Sequence, residues 1–317
     1  MHKVSDSSKA PITAERSRER SGVFFAVAAY GIWGVLPLYF LLLQPAGAIE
    51  IVALRILFSL VFCALIITVT RRWAALIALL GQPKIVFTMG LAAAFIFVNW
   101  QVYVAATLSG HVIEAALGYF INPIVTVLLG VFLLGERLRA PQWVAVGISA
   151  IAVFVLAINY GVFPWISLTL AFSFGLYGLI KNRVGGSVDA VSGLTIETAW
   201  LAPVAVVQLV IAGTGAGLTL GTVSIAHTVA LASAGIVTAV PLLLFAAAAR
   251  RLPLVYLGLI QYLAPVLQFV SGAFILHEDM PTARWLGFAL VWVALIVLSV
   301  DLFIAGRRAR RASPALG

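Results

Sequence analysis

Residues 117–143 read LGYFINPIVTVLLGVFLLGERLRAPQW, and residues 259–285 read LIQYLAPVLQFVSGAFILHEDMPTARW. Laid over each other at an offset of 142, these 27 positions contain seven identities. They pair Leu117 with Leu259, Pro123 with Pro265, Gly130 with Gly272, Phe132 with Phe274, Leu134 with Leu276, Glu136 with Glu278 and Trp143 with Trp285. An apolar composition explains coincident leucines, but not Pro, Gly, Glu and Trp in one register. Tyr103 falls opposite Phe245 upstream, again within runs of small residues. The chain reads as an internal duplication.

The rest of the chain sets the solvent for that duplication. Of 317 residues, 63% are hydrophobic and 10% charged, and the mean hydropathy is +1.12. A soluble domain carries about a quarter charged residues, so the apolar surplus here faces lipid. Soluble enzymes, disordered proteins and disulfide scaffolds are excluded. Cys63 is alone and inside an apolar run, so it forms no internal disulfide. The first 21 residues lack the pattern of a signal peptide and read as a disordered cytoplasmic tail, with a basic tail at 305–317.

Crossing about 30 Å of hydrocarbon takes about 20 apolar residues. Ten spans are expected: 22–43, 49–70, 85–107, 112–134, 142–158, 163–180, 195–212, 227–249, 254–276 and 284–304. With the N-terminus inside, 18 of the 20 Lys and Arg residues fall on the cytoplasmic side, leaving Arg284 outside and Arg55 within span two. The net charge of +9 is thus an orientation signal and a contact with membrane lipid, not a nucleic-acid surface. The expected fold is all-α, with ten transmembrane helices and both termini cytoplasmic. The offset maps span four onto span nine, so the repeats are 22–158 and 163–304, each with five helices. Five is odd, so the two repeats are inverted: Glu136 faces the cytoplasm and Glu278 the outside. Inverted repeats around a midplane site are the architecture of secondary transporters.

Several of these residues also resemble a known family. His111-x-x-Glu114-x-x-x-Gly118-Tyr119-Phe120-Ile121-Asn122-Pro123, followed by Leu134-Gly135-Glu136-Arg137, resembles the RarD branch of the EamA transporters in the drug/metabolite transporter superfamily. Ala29-Tyr30 with Ile32-Trp33-Gly34, Asn99-Trp100, Ile196-Glu197-Thr198 with Trp200, and Gln261-Tyr262 before Pro265 extend the resemblance over nearly all of 22–304. It implies an inner-membrane permease of ten helices that exports a drug or metabolite. It also implies that helices one to four and six to nine form the pathway, braced by five and ten. Small multidrug pumps of the superfamily carry a glutamate in their first helix; span one has no acidic residue, so that proton-exchange device does not transfer.

Ionisable residues in spans are costly and mark function. Here they are Glu50 and Arg55 in span two, His111 and Glu114 entering span four, and Glu197 entering span seven, while Asp301 reads as a solvated cap. Glu50, Glu114 and Glu197 are expected near the outer boundary, where a solvated interface is the competing reading, and a buried one among them is a candidate for proton coupling. Glu50 and Arg55 are about 140° apart on their helix, so Arg55 either pairs across helices with Glu114 or Glu197 or binds an anionic group on substrate. His111, Glu114, Gly118 and Asn122 form one stripe along helix four. Pro123 and Pro265 are expected as symmetry-related bends beside the cavity. Trp100, Tyr119, Gln261 and Tyr262, with Trp33, Tyr103 and Trp200, are candidate cavity aromatics and polar neighbours, interfacial anchoring being the alternative. His111 and Glu114 lack further ligands for a metal, and no phosphate-binding Gly loop exists, so no cofactor is expected. The competing functions are a membrane enzyme acting on a lipid-linked or isoprenoid substrate and a non-transporting sensor or accessory subunit.

Overall fold

The computed structural model describes residues 10–135, 137–160, 163–184, 187–215, 217–249, 251–252 and 254–312. Among them there are helices and no strand: α1 (Ala10–Leu42), α2 (Ala48–Val69), α3 (Trp73–Leu80), α4 (Pro83–Leu108), α5 (Val112–Leu134), α6 (Ala140–Tyr160), α7 (Trp165–Val184), α8 (Ala190–Thr214), α9 (Ile225–Ala249), α10 (Leu254–Ile260), α11 (Leu263–Val270) and α12 (Thr282–Ala312). A π turn, Ser271–Ile275, continues α11.

Among the described residues, seven helices are long and apolar enough to cross a membrane: those within α1, α2, α4, α5, α8, α9 and α12. Shorter apolar helices, Ala140–Val155, Trp165–Lys181 and Leu263–Ile275, occupy the other three expected spans. Phe24, Phe87, Phe132, Phe154, Val210 and Ile296 stand exposed on the outside of the bundle, as lipid-facing side chains do.

The chain departs from the sequence expectation in three places. Residues 10–21 continue α1 rather than forming a tail, because Ala14–Arg20 are mostly good helix formers and Pro11 sits in the first turn, where its missing N–H costs nothing. The C-terminal arginines likewise prolong α12 to Ala312; the rest of both expected tails, 1–9 and 313–317, lies outside the described residues. The short apolar α3 fills what reads as a connection between spans two and three.

Helices of the first half of the chain pack on helices of the second. α2 packs on α8 and α9, α4 on α7 and α8, and α1 on α9 and α11, as α7 does on α4 and α5. α6 packs on α12 and α5 on α11. Two of these packings turn on glycines. A Cβ on Gly235 of α9 would overlap the backbone carbonyl of Phe58 and come within 2.8 Å of the Ser59 nitrogen in α2. One on Gly118 of α5 would stand 2.6 Å from the Ser167 carbonyl oxygen in α7. Small residues at these crossings let helices touch backbone to backbone.

Asp189 caps α8: one carboxylate oxygen accepts from the N–H groups of Val191 (3.1 Å) and Ser192 (3.2 Å), and the other from the Ser192 hydroxyl (2.7 Å). Burial opposes its ionisation, but the hydrogen bonds from Ser192 and Val191 and the charge of Arg72 hold the carboxyl below its ordinary range. Asp189→Ala is expected to lower stability by about 1 kcal/mol in unfolding measurements on purified protein. Because the folded carboxyl is the stronger acid, its contribution is complete above the ordinary aspartate range, near pH 4, and is lost as pH falls through the folded value. A cost in the variant that grew on acidification would contradict this.

Candidate functional site

Arg55 is the most unusual side chain in the bundle. It lies seven residues into α2, about 10 Å from the helix end at a rise of 1.5 Å per residue, and is 4% exposed. Its Nε donates to the Thr238 hydroxyl of α9 at 2.7 Å, and that hydroxyl donates in turn to the Ala234 carbonyl oxygen. The guanidinium carbon lies 4.3 Å from the centroid of the Trp100 ring and 5.6 Å from that of Phe40, so aromatic faces take up part of its charge. Nη1 is buried and has no hydrogen-bond partner among the described residues.

Around it the polar groups of several helices converge. Tyr119 of α5 donates to the Asn99 side-chain carbonyl of α4 at 2.9 Å, and the Asn99 amide donates to the Leu170 carbonyl and the Ser173 hydroxyl, both at 3.2 Å. The Tyr103 and Tyr119 rings meet edge to face, 5.5 Å between centroids. Gln268 of α11 donates to the Trp33 carbonyl at 3.1 Å, while its own side-chain oxygen and the Tyr103 hydroxyl are buried without hydrogen-bond partners among the described residues. Tyr39 of α1 donates to the Ala230 carbonyl oxygen of α9 at 2.8 Å. The site is thus assembled from α1, α2, α4 and α5 on one side and α9 and α11 on the other.

Of the residues singled out from the sequence, Arg55, Trp100, Tyr103 and Tyr119 come together here, with the Trp33 carbonyl bonded to Gln268. The glutamates, His111, Asn122 and Tyr262 go elsewhere. Arg55 pairs with neither Glu114 nor Glu197. Glu197 is instead held by Lys181 at 2.8 Å, with the Tyr177 hydroxyl at 3.3 Å. It therefore lies toward the end that carries Arg72 and Asp189, not near the boundary where Glu50 sits. Glu50 is buried and accepts from the backbone N–H groups of Thr219 (2.8 Å) and Leu220 (3.0 Å) and from the Thr219 hydroxyl (3.0 Å), pinning the α8–α9 connection.

Glu114, Gly118 and Asn122 of the expected stripe lie against α7. Ser167 donates to the Glu114 carbonyl at 2.6 Å, and the Asn122 amide donates to the Ala171 carbonyl at 2.9 Å. His111 Nδ1 lies 3.0 Å from the Ser109 hydroxyl at the helix entrance. α5 runs through Pro123 unbroken, whereas Pro265 occupies the first turn of α11 and the break falls before it, at Gln261 and Tyr262. Tyr262 packs against the separate core of α5, α6 and α12. Asp301 pairs with Arg139 at 2.6 Å, tying α12 to the start of α6.

Asn99, Thr238, Gln268 and Tyr39 are the residues sequence reasoning missed as site members. Asn99 was visible as a polar residue within an apolar span. The two hydroxyl residues and Gln268 carried no signal before the helices were assembled.

A second contact joins the two halves of the chain. The Glu278 carboxylate accepts from the N–H groups of Val112 (2.6 Å) and Ile113 (2.9 Å), the first turn of α5, where unpaired N–H groups and the helix dipole favour an anion. Burial raises its affinity for a proton, opposed by those two N–H groups and by Arg284 and His111. Glu136, which falls opposite Glu278 at the sequence offset of 142, lies outside the described residues. A cleft of about 280 Å³ opens elsewhere, lined by Ile66, Thr70, Arg72, Asp189 and Ser192.

The EamA-like transporter family matches residues 20–158. The chain is 47% identical to protein RarD of Streptomyces exfoliatus over 93% of each chain. It belongs to the RarD branch of the EamA transporters. Protein RarD of Escherichia coli K12 is 39% identical over 93% of this chain and 99% of its own. A protein of known crystal structure superposes with a TM-score of 0.57 at 20% identity, covering 87% of this chain and 96% of that one, a likeness of fold. Family and apolar helices together make this a multi-pass membrane transporter of the drug/metabolite kind.

Proposed function

We propose that the chain is a secondary transporter, an exporter of a small organic solute, working by alternating access at the buried site between its halves. The observation that carries this reading is that site itself: a charged residue and a polar cluster deep in an apolar bundle, contributed by α2, α4 and α5 from one half and α9 and α11 from the other. The reading takes ten membrane-crossing helices in two inverted repeats, both termini in the cytoplasm and a bacterial-type inner membrane. The sidedness of Lys and Arg supports the orientation. The packing pattern supports the repeats: moving each helix by the offset of 142 exchanges α1 with α7, α2 with α8 and α4 with α9, and turns each of these packings into another that exists.

Alternating access needs a closure at each end. Glu278 on the first turn of α5 supplies one. At the offset of 142, Val112 and Ile113 correspond to Leu254 and Val255, and Glu278 to Glu136. In the opposite state Glu278 lets go of the first turn of α5. Cross-linking of Ile113→Cys with Glu278→Cys is expected to form in the state described here and to lock transport. Undiminished transport by the cross-linked protein would refute the closure.

The function is tested by comparing metabolites in medium and cytosol between deletion and overexpression strains. The expected result is a solute that builds up inside on deletion and outside on overexpression, and that crosses sealed vesicles carrying the purified chain. Vesicles that move no such solute, or solubilised protein that chemically converts it, would overturn the proposal.

A further inference from the structure

An arginine does not shed its proton to enter a membrane, so a buried guanidinium needs a negative partner or a set of acceptors. Arg55 has one hydrogen bond, to a neutral hydroxyl, and two aromatic faces. Among the described residues, the titratable side chains that bear on it are Tyr119, Tyr103 and Tyr39. The buried or half-buried acids among the described residues have other partners: Glu50 the Thr219 and Leu220 backbone, Asp189 the start of α8, Glu197 Lys181, Glu278 the start of α5, and Asp301 Arg139. Glu114 lies by the Ile166 and Ser167 backbone, under the charges of His111 and Arg284. The counter-charge to Arg55 is missing among the described residues. Three buried polar atoms in this region also lack partners: Arg55 Nη1, the Tyr103 hydroxyl and the Gln268 side-chain oxygen. Tyr103 and Gln268 lie against each other without the geometry of a hydrogen bond.

We propose that this nest takes a small organic monoanion, a carboxylate on an aromatic or planar apolar body, with Arg55 as the group that binds its charge. The proposal rests on the transporter reading and names its substrate class. A carboxylate brings one negative charge to one positive charge and accepts from Nη1, and its remaining lone pairs suit the Tyr103 hydroxyl. A group on the body that donates a hydrogen bond is matched by the Gln268 oxygen. The body lies among Phe40, Tyr103 and Tyr119, whose rings already meet edge to face. A phosphate dianion leaves one charge uncompensated in a dry site, and a neutral solute leaves Arg55 unpaired. The nest is closed in this conformation, with Arg55, Tyr103 and Gln268 each under 5% exposed, so its ligand is enclosed on all sides once bound.

The test uses the full chain in lipid nanodiscs, with matched acids and amides as probes: benzoate with benzamide, phenylacetate with phenylacetamide, indole-3-acetate with indole-3-acetamide, and phenyl phosphate as the dianion. At least one acid is expected to bind tenfold or more tightly than its amide and than phenyl phosphate, by calorimetry. Arg55→Met is expected to abolish that preference and Arg55→Lys to keep part of it. The acid-to-amide ratio on the unmodified chain stands whether or not Arg55→Met folds. Amides that bind as well as acids, tighter binding of phenyl phosphate, no acid that binds, or an unchanged preference in a folded Arg55→Met protein would each overturn the anion site. Flux of the bound acid into sealed vesicles separates the two levels. Binding without flux leaves the anion site and overturns transport, whereas flux of amides with no preference for acids leaves transport and overturns the anion site.

Discussion

Lys181→Met is expected to destabilise the protein by about 3–5 kcal/mol, because it strands a buried carboxylate. The Glu197 side chain is 1% exposed and that of Lys181 29%, so the lysine reaches from the margin of the bundle to a charge that water does not reach. The Tyr177 hydroxyl at 3.3 Å is too weak a partner to replace it. Removing both charges, with Lys181→Met and Glu197→Gln together, leaves no uncompensated ion, and most of the loss is expected to return. Chemical unfolding of the purified protein in detergent measures all three chains. Wild-type stability in Lys181→Met, or a double variant no better than the single, would show that the pair is not what holds Glu197.

Gly235→Ala is the second large effect. The added methyl meets backbone on α2, the Phe58 carbonyl and the Ser59 nitrogen, and no side-chain rotation removes it. The helices have to separate, at about 1–3 kcal/mol. One turn along, the same two helices hold the bond from Arg55 to Thr238, so the shift also displaces the guanidinium from its place over Trp100. Gly31 provides the contrast: a Cβ there meets nothing within 4 Å, and Gly31→Ala is expected to be neutral or stabilising by up to about 1 kcal/mol, the difference in helix propensity. Parallel thermal unfolding of the two variants decides it. Equal effects would mean that the α2–α9 contact is loose.

What the sequence revealed of this molecule follows the range of each signal. Hydrophobic runs longer than the bilayer is thick mark helices α1, α2, α4, α5, α8, α9 and α12 directly, and the same criterion is blind to α3, whose eight residues are too few to span. Arg55 could be singled out because a charge inside a span is rare, but its surroundings could not. A span apolar on every side gives no phase, so nothing indicated that Arg55 turns toward Trp100 and Thr238 rather than toward Glu114 or Glu197. Three members of the expected stripe on α5, Glu114, Gly118 and Asn122, share one neighbour. Spacing cannot tell a cavity from a neighbouring helix, and the neighbour proved to be α7. The paired prolines sit differently in their helices: α5 continues through Pro123, whereas α10 ends at Ile260, ahead of Pro265 in the first turn of α11.

The bonds between the halves join residues far apart in the chain: 166 positions from Val112 to Glu278, 183 from Arg55 to Thr238, 191 from Tyr39 to Ala230 and 235 from Trp33 to Gln268. For biogenesis this means that the first half enters the bilayer with Arg55 and the first turn of α5 still waiting for partners that the ribosome has yet to make. A nascent chain stopped before residue 225 holds a membrane arginine with no Thr238 and a helix start with no Glu278. The last helices to be synthesised thus complete hydrogen bonds begun on the first.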